Sequence, residues 1–104
     1  MTTNNDAMVR LSIKQDLTVG NVTEVLDSCE RELAERPAGA VALDLCGASF
    51  LDSIGTSAVI QLYKQCQEQG RSFSVEVDSA QLRRIFQHSG LDVLLNVCLR
   101  GAAG

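Results

Sequence analysis

The segment 41–63, VALDLCGASFLDSIGTSAVIQLY, constrains the fold of this chain more than any other. Val41, Leu43 and Leu45 recur with period two, the pattern of a strand. Ala42 and Cys46 on the intervening positions are small or apolar, so the strand is expected to be central in its sheet and covered on both faces. A short turn carrying Asp52, Ser53 and Gly55 follows. Beyond it Val59, Leu62, Tyr63 and Cys66 line one face of a helix. Strand, turn and helix in succession define an α/β unit. They also set a carboxylate and a hydroxyl at a helix N-terminus. Backbone N–H groups lack intrahelical partners there, and the macrodipole favours negative charge. Such a place suits a carboxylate cap, an anion or a phosphorylated hydroxyl.

The remaining chain repeats the unit. Val9, Leu11 and Ile13 alternate with Arg10, Ser12 and Lys14, a strand with one wet face. Residues 16–20 read as a loop. Asn21 followed by Glu24 fits an N-cap with an acidic third position. Val22, Val25, Leu26, Cys29 and Leu33 then mark an amphipathic helix ending before Pro37. Gly70 closes the helix that follows the turn. Phe73, Val75 and Val77 form a strand. Ser79 caps a helix with Leu82, Ile85, Phe86 and Ser89 on one face, ended by Gly90. Residues 93–99 are expected to be the last strand. The order β-α-β-α-β-α-β with short connections implies a mostly parallel sheet covered by helices. The first strand can pair either way.

A chain of 104 residues is expected to be one domain, 1–104, with its core in about 9–99. The net charge of −4 argues against nucleic acid as a partner, which wants a basic patch. Arg83 and Arg84, the only local basic pair, read as a solvated helix face. The first residues lack the apolar core of a signal peptide, and no apolar run approaches the roughly 20 residues that span a bilayer. A cytoplasmic protein without membrane insertion is expected. Four cysteines, Cys29, Cys46, Cys66 and Cys98, are widely spaced, and His88 has no companion at ligand spacing. A metal site has little support, and no cofactor is expected. Buried reduced thiols fit Cys29 and Cys66, which fall on apolar helix stripes.

Nothing in the chain suggests catalysis. The serine elbow and the phosphate-binding Gly-rich loop with its lysine are missing. His88 lies at a helix C-terminus, where a cation meets the dipole favourably. Asp44 and Asp52 form a conceivable carboxylate pair, but a strand-end hydrogen-bonding role for Asp44 and a helix cap for Asp52 account for them. The chain is therefore expected not to be an enzyme.

Two motifs resemble a known family. DLCGASFLDSIGTSAVIQL is similar to the core motif of the sulfate-transporter and anti-sigma-factor-antagonist (STAS) domain. LRRIFQHSGLDVLLNV, residues 82–97, is similar to that family's last helix, Gly-Leu turn and final strand. The resemblance implies a mixed sheet with helices packed on it. It also implies a stand-alone anti-anti-sigma factor. Such a protein binds an anti-sigma factor of histidine-kinase-like ATPase fold and frees a sigma factor. A PP2C-type phosphatase is a further implied partner. In such antagonists the kinase phosphorylates a hydroxyl in the turn, and the modified form no longer binds.

This chain departs from the family pattern at one position. The residue immediately before the glycine is Ile54 rather than a hydroxyl residue. Ser53, one residue earlier, is the phosphorylation candidate, with Thr56 and Ser57 as neighbours in the first helical turn. Asp52 and Gly55 are the cap and turn residues. The expected partner surface is built by segments 16–22 and 52–57, with Asn21, Ser53, Ile54, Thr56 and Ser57 as its contact residues. The alternative reading is a STAS partner that is not switched by phosphate, such as an accessory subunit of an ABC-type lipid transporter or a signalling scaffold.

Overall fold

The computed structural model describes residues 8–100. Within them the alternating and helical patterns resolve into β1 (Val9–Ser12), α1 (Val22–Glu35), β2 (Val41–Asp44), α2 (Ser53–Glu68), β3 (Phe73–Val77), α3 (Ala80–His88), α4 (Leu91–Leu94) and β4 (Val97–Leu99). The strands lie in the order β1-β2-β3-β4, and every neighbouring pair is parallel. The largely parallel sheet expected from the element order is present. The antiparallel member implied by the family resemblance is not among the described residues.

A sheet whose strands follow sequence order, joined by crossovers of one hand, collects its helices on one side. The burial pattern agrees. Val9, Leu11, Val41, Leu43, Phe73, Val75 and Val77 are buried and join Val22, Cys29, Leu33, Val59, Leu62, Cys66, Leu82 and Phe86 in one core. The opposite face carries Arg10, Ser12, Asp44, Ser74, Glu76 and Cys98, all exposed or half-buried, with Ala42 buried among them. β2 is central, as its composition suggested, but its second face is polar at Asp44. There Arg10 pairs with Asp44 at 3.5 Å and with Glu76, and Arg100 meets Glu76 at 2.7 Å.

Two helix ends follow local chemistry closely. Ser79 accepts from the Leu82 N–H and caps α3. At the end of α2, Gly70 takes φ +69° and the Arg71 N–H returns to the Cys66 carbonyl, a glycine-closed terminus.

Two expectations need correction. The apolar run 93–99 is not all strand. Gly90 in the left-handed region opens α4, Leu95 is fully buried beneath it, and Asn96 at φ +55° turns the chain, so pairing starts only at Val97. A short apolar run cannot separate helix from strand by periodicity alone. Asn21 sits at the start of α1 but makes no side-chain cap. Its amide faces backward instead, accepting from the Thr18 N–H at 3.0 Å and donating to the Asp16 carbonyl at 2.8 Å.

At the N-terminal end of the strands, Arg71 is buried and ties two loops together. Its guanidinium donates to the carbonyls of Gly39 and Ala38 at 2.8 and 3.2 Å and to the Gln69 side chain at 3.2 Å.

Candidate functional site

At the C-terminal end of the strands, the loop from β1 to α1 meets the loop from β2 to α2. The backbone joins first. Leu17 forms an isolated parallel bridge with Leu51, its N–H donates to the Phe50 carbonyl, and its carbonyl accepts from the Asp52 N–H. Leu17 and Leu51 are both buried, so apolar burial anchors this joint.

Two carboxylates then lock it reciprocally. Asp16, on the first loop, accepts from the Ser49 and Phe50 N–H groups of the second at 2.8 and 3.3 Å, and from the Ser49 hydroxyl at 3.4 Å. Asp52, on the second loop, accepts from the Val19 N–H of the first at 2.9 Å. The other oxygen of Asp52 accepts from the Gly55 N–H at 2.7 Å and caps α2. The Gly55 and Val19 N–H groups, in that order, hold the Asp52 carboxyl below its ordinary pKa. A charged acceptor of backbone N–H groups at a helix start is stabilised by both the hydrogen bonds and the dipole.

Gly55 is required by the same approach. A Cβ on it would overlap the Leu17 carbonyl oxygen and stand 2.8 Å from the Leu17 carbonyl carbon. Any larger residue would push the start of α2 off the first loop.

The residues singled out in the turn are thus brought together, in different settings. Ser53 is exposed at the first position of α2, with no hydrogen bond recorded for its hydroxyl among the described residues. Ile54 next to it is exposed, an apolar side chain facing solvent. Thr56 is half-buried, and its hydroxyl donates back to the Asp52 carbonyl at 3.0 Å. That bond is the local alternative that hydroxyl residues make in a first helical turn. Ser57 is exposed on the next turn face. Asn21 is half-buried, and its amide is committed to the first loop. Segments 16–22 and 52–57 therefore share one end of the sheet.

Asp16 and Val19 fall within the expected contact segment 16–22, but the bonds of Asp16 escaped the sequence reading because its donors lie 33 and 34 residues away, and Phe50 lay outside both expected segments. Val19 and Phe50 are exposed apolar residues at the same joint. A large apolar residue inside an otherwise polar loop was the available signal for both.

Asp44 lies on the bare sheet face and serves its own strand end, accepting from the Cys46 N–H at 3.0 Å. Burial alone would raise its pKa, but that N–H and Arg10 outweigh burial and hold it lower. No group of three metal-ligating side chains occurs among the described residues. No described helix is long and apolar enough to cross a membrane.

A singly wound parallel sheet, with two loops joined at its C-terminal edge beside a capped helix start, defines a small α/β domain presenting one loop platform. The chain belongs to the STAS domain family, whose match covers residues 1–100 of 104. No curated protein matches it. Protein–protein interaction is the common role of domains in this family.

Proposed function

We propose that this STAS domain is an anti-anti-sigma factor: a non-catalytic, cytoplasmic binding module that captures an anti-sigma factor of histidine-kinase-like ATPase fold and so frees a sigma factor. One observation carries the reading. Ser53 is exposed at the first position of α2, directly after the Asp52 cap, on a helix start whose position is set by the joined loops. A rigid exposed turn suits a docking site, because little ordering entropy is lost on binding. A phosphate on Ser53 would meet free N–H groups and the positive helix end, so the fold tolerates it. It would also add about −1.5 to −2 charges to a contact that must desolvate them, and so eject the partner. A PP2C-type phosphatase would restore the binding form.

A second reading is favoured by Ile54. It occupies the position next to the glycine where a hydroxyl would otherwise stand, and its exposed side chain cannot take phosphate. On that reading the domain is a constitutive partner, an accessory subunit of an ABC-type lipid transporter or a signalling scaffold, and is never switched.

The test mixes the purified protein with the histidine-kinase-like anti-sigma factor of its own genome, with and without ATP. The reading expects a complex that releases sigma factor, phosphate on Ser53 by mass spectrometry, and loss of the complex on modification. Binding without phosphate moves the conclusion to the unswitched module. Absence of any complex with that partner overturns the anti-sigma role.

A further inference from the structure

We propose that Val19, Phe50 and Ile54 are a three-point apolar anchor for a protein partner whose own contact surface is an apolar pocket edged with lysine or arginine. This rests on the reading of the loop end as a docking surface and adds which side chains bind and what they meet.

The side chains are exposed, Val19 at 70%, Ile54 at 46% and Phe50 at 42%. Single exposed apolar residues are ordinary on protein surfaces. These three are not scattered. The Phe50 carbonyl is bonded to Leu17, two residues before Val19, and the Val19 N–H is bonded to Asp52, which lies midway between Phe50 and Ile54. One joint therefore holds all three backbones, and apolar side chains on a preordered backbone lose little ordering entropy on binding.

The charge around the anchor selects the partner. Asp16 and Asp52 stand at the same joint, and neither belongs to an ion pair among the described residues. The ion pairs there are lie elsewhere, on the bare sheet face and within α1. The hydrogen-bond partners of the two carboxylates are neutral N–H groups and the Ser49 hydroxyl, so no cationic side chain among the described residues neutralises them beside the apolar side chains. A partner with basic groups at the rim of its pocket supplies what is missing, and an acidic partner is repelled. The same sign disfavours nucleic acid. A second exposed apolar pair, Val93 and Leu94 on α4, lies outside this joint and serves as an internal control.

The experiment titrates the 15N-labelled full chain with three short helical peptides: one amphipathic with Leu and Lys, a Leu/Glu counterpart, and a Ser/Lys peptide of equal positive charge. The expected result is saturable shifts at the amides of Val19, Phe50 and Ile54 with the Leu/Lys peptide alone. Those shifts should weaken at least about tenfold in a Val19→Ser/Phe50→Ser variant and persist in Val93→Ser. Melting curves of the variants show that they are folded. Equal binding of the Leu/Lys and Ser/Lys peptides, binding of the Leu/Glu peptide, or shifts centred on Val93 and Leu94 overturns the proposal. The anti-sigma factor is titrated in parallel. If it binds the Val19→Ser/Phe50→Ser variant as tightly as the wild type, the anchor is wrong and the functional reading stands. If it binds neither protein while the Leu/Lys peptide still selects the anchor, the functional reading falls and the anchor stands.

Discussion

Gly55 packs its backbone against the Leu17 carbonyl so closely that a Cβ at this position would overlap the carbonyl oxygen. The obstacle is backbone, which cannot swing aside as a side-chain tip does. Gly55→Ala, a helix-favouring change on propensity alone, is therefore expected to destabilise the domain by about 1–3 kcal/mol. It should also separate the two loops, because the Gly55 N–H holds the Asp52 carboxylate that reaches Val19. Urea denaturation gives the first effect, and amide shifts of Val19 the second. A variant as stable as the wild type contradicts the packing described.

Asp16 and Asp52 should behave as one unit. Asp16→Ala removes acceptors for Ser49 and Phe50 and is expected to cost about 1 kcal/mol. Asp52→Ala removes the cap of α2 and the Val19 contact together and should lower the melting temperature by several degrees. Because both act on the same pair of loops, the double variant should lose less than the sum of the single losses. A double-mutant cycle by urea denaturation measures the difference. Strict additivity would mean that the two carboxylates hold the loops independently of each other.

Acid should weaken the fold through identifiable carboxylates. Asp52 is held low by the Gly55 and Val19 N–H groups. Burial pushes Glu76 up, but Arg10 and Arg100 outweigh it and hold it low, and Asp44 behaves likewise through Cys46 and Arg10. A group whose folded pKa lies below its unfolded value contributes stability above that unfolded value, near 3.9–4.3, and loses it as pH falls through the folded value. The melting temperature should therefore be flat through neutrality and drop below about pH 4. Glu76→Gln should show a shallower drop between pH 5 and pH 3 than the wild type. An identical slope would remove Glu76 from the account.

The cysteines should react in a definite order. Cys98 is exposed on the edge strand β4. Burial pushes the Cys29 thiol up to about 11, and burial followed by Asp44 does the same to the half-buried Cys46. Burial also raises Cys66. The thiolate is the reacting species, so iodoacetamide near neutral pH should label Cys98 first and leave Cys29 and Cys66 protected until unfolding. Peptide mapping over time checks the order, and early labelling of Cys66 would contradict its burial.

The course of the chain was legible where one pattern dominates. Val9, Leu11 and Ile13 announce a strand with one wet face, and Leu62 and Cys66 announce a buried helix face, because period alone separates the two states there. Residues 93–99 were misread because their apolar run fits either state, and the pivot at Asn96 leaves no periodic trace. Asp52 as a cap was visible because capping is local. Its second bond, to Val19, and the whole of the Asp16 contact were not, because their donors lie some 33 residues away and only the folded sheet brings them near. Asn21 misled for a related reason: the residue type that caps helices also satisfies the loop before it.

The two ends of the sheet are fastened with opposite charge, and this sets the order in which the molecule comes apart. Arg71 grips the loops at the far end with its guanidinium. The loop platform is gripped by carboxylates, and of these Asp52 is held below its ordinary pKa. Below about pH 4 the Asp52 grip should therefore loosen, and the Val19 amide exchange with solvent deuterium, while the amides around Cys66 and Arg71 stay closed. The loop platform would then open as a separate unit before the helices and sheet beneath it give way.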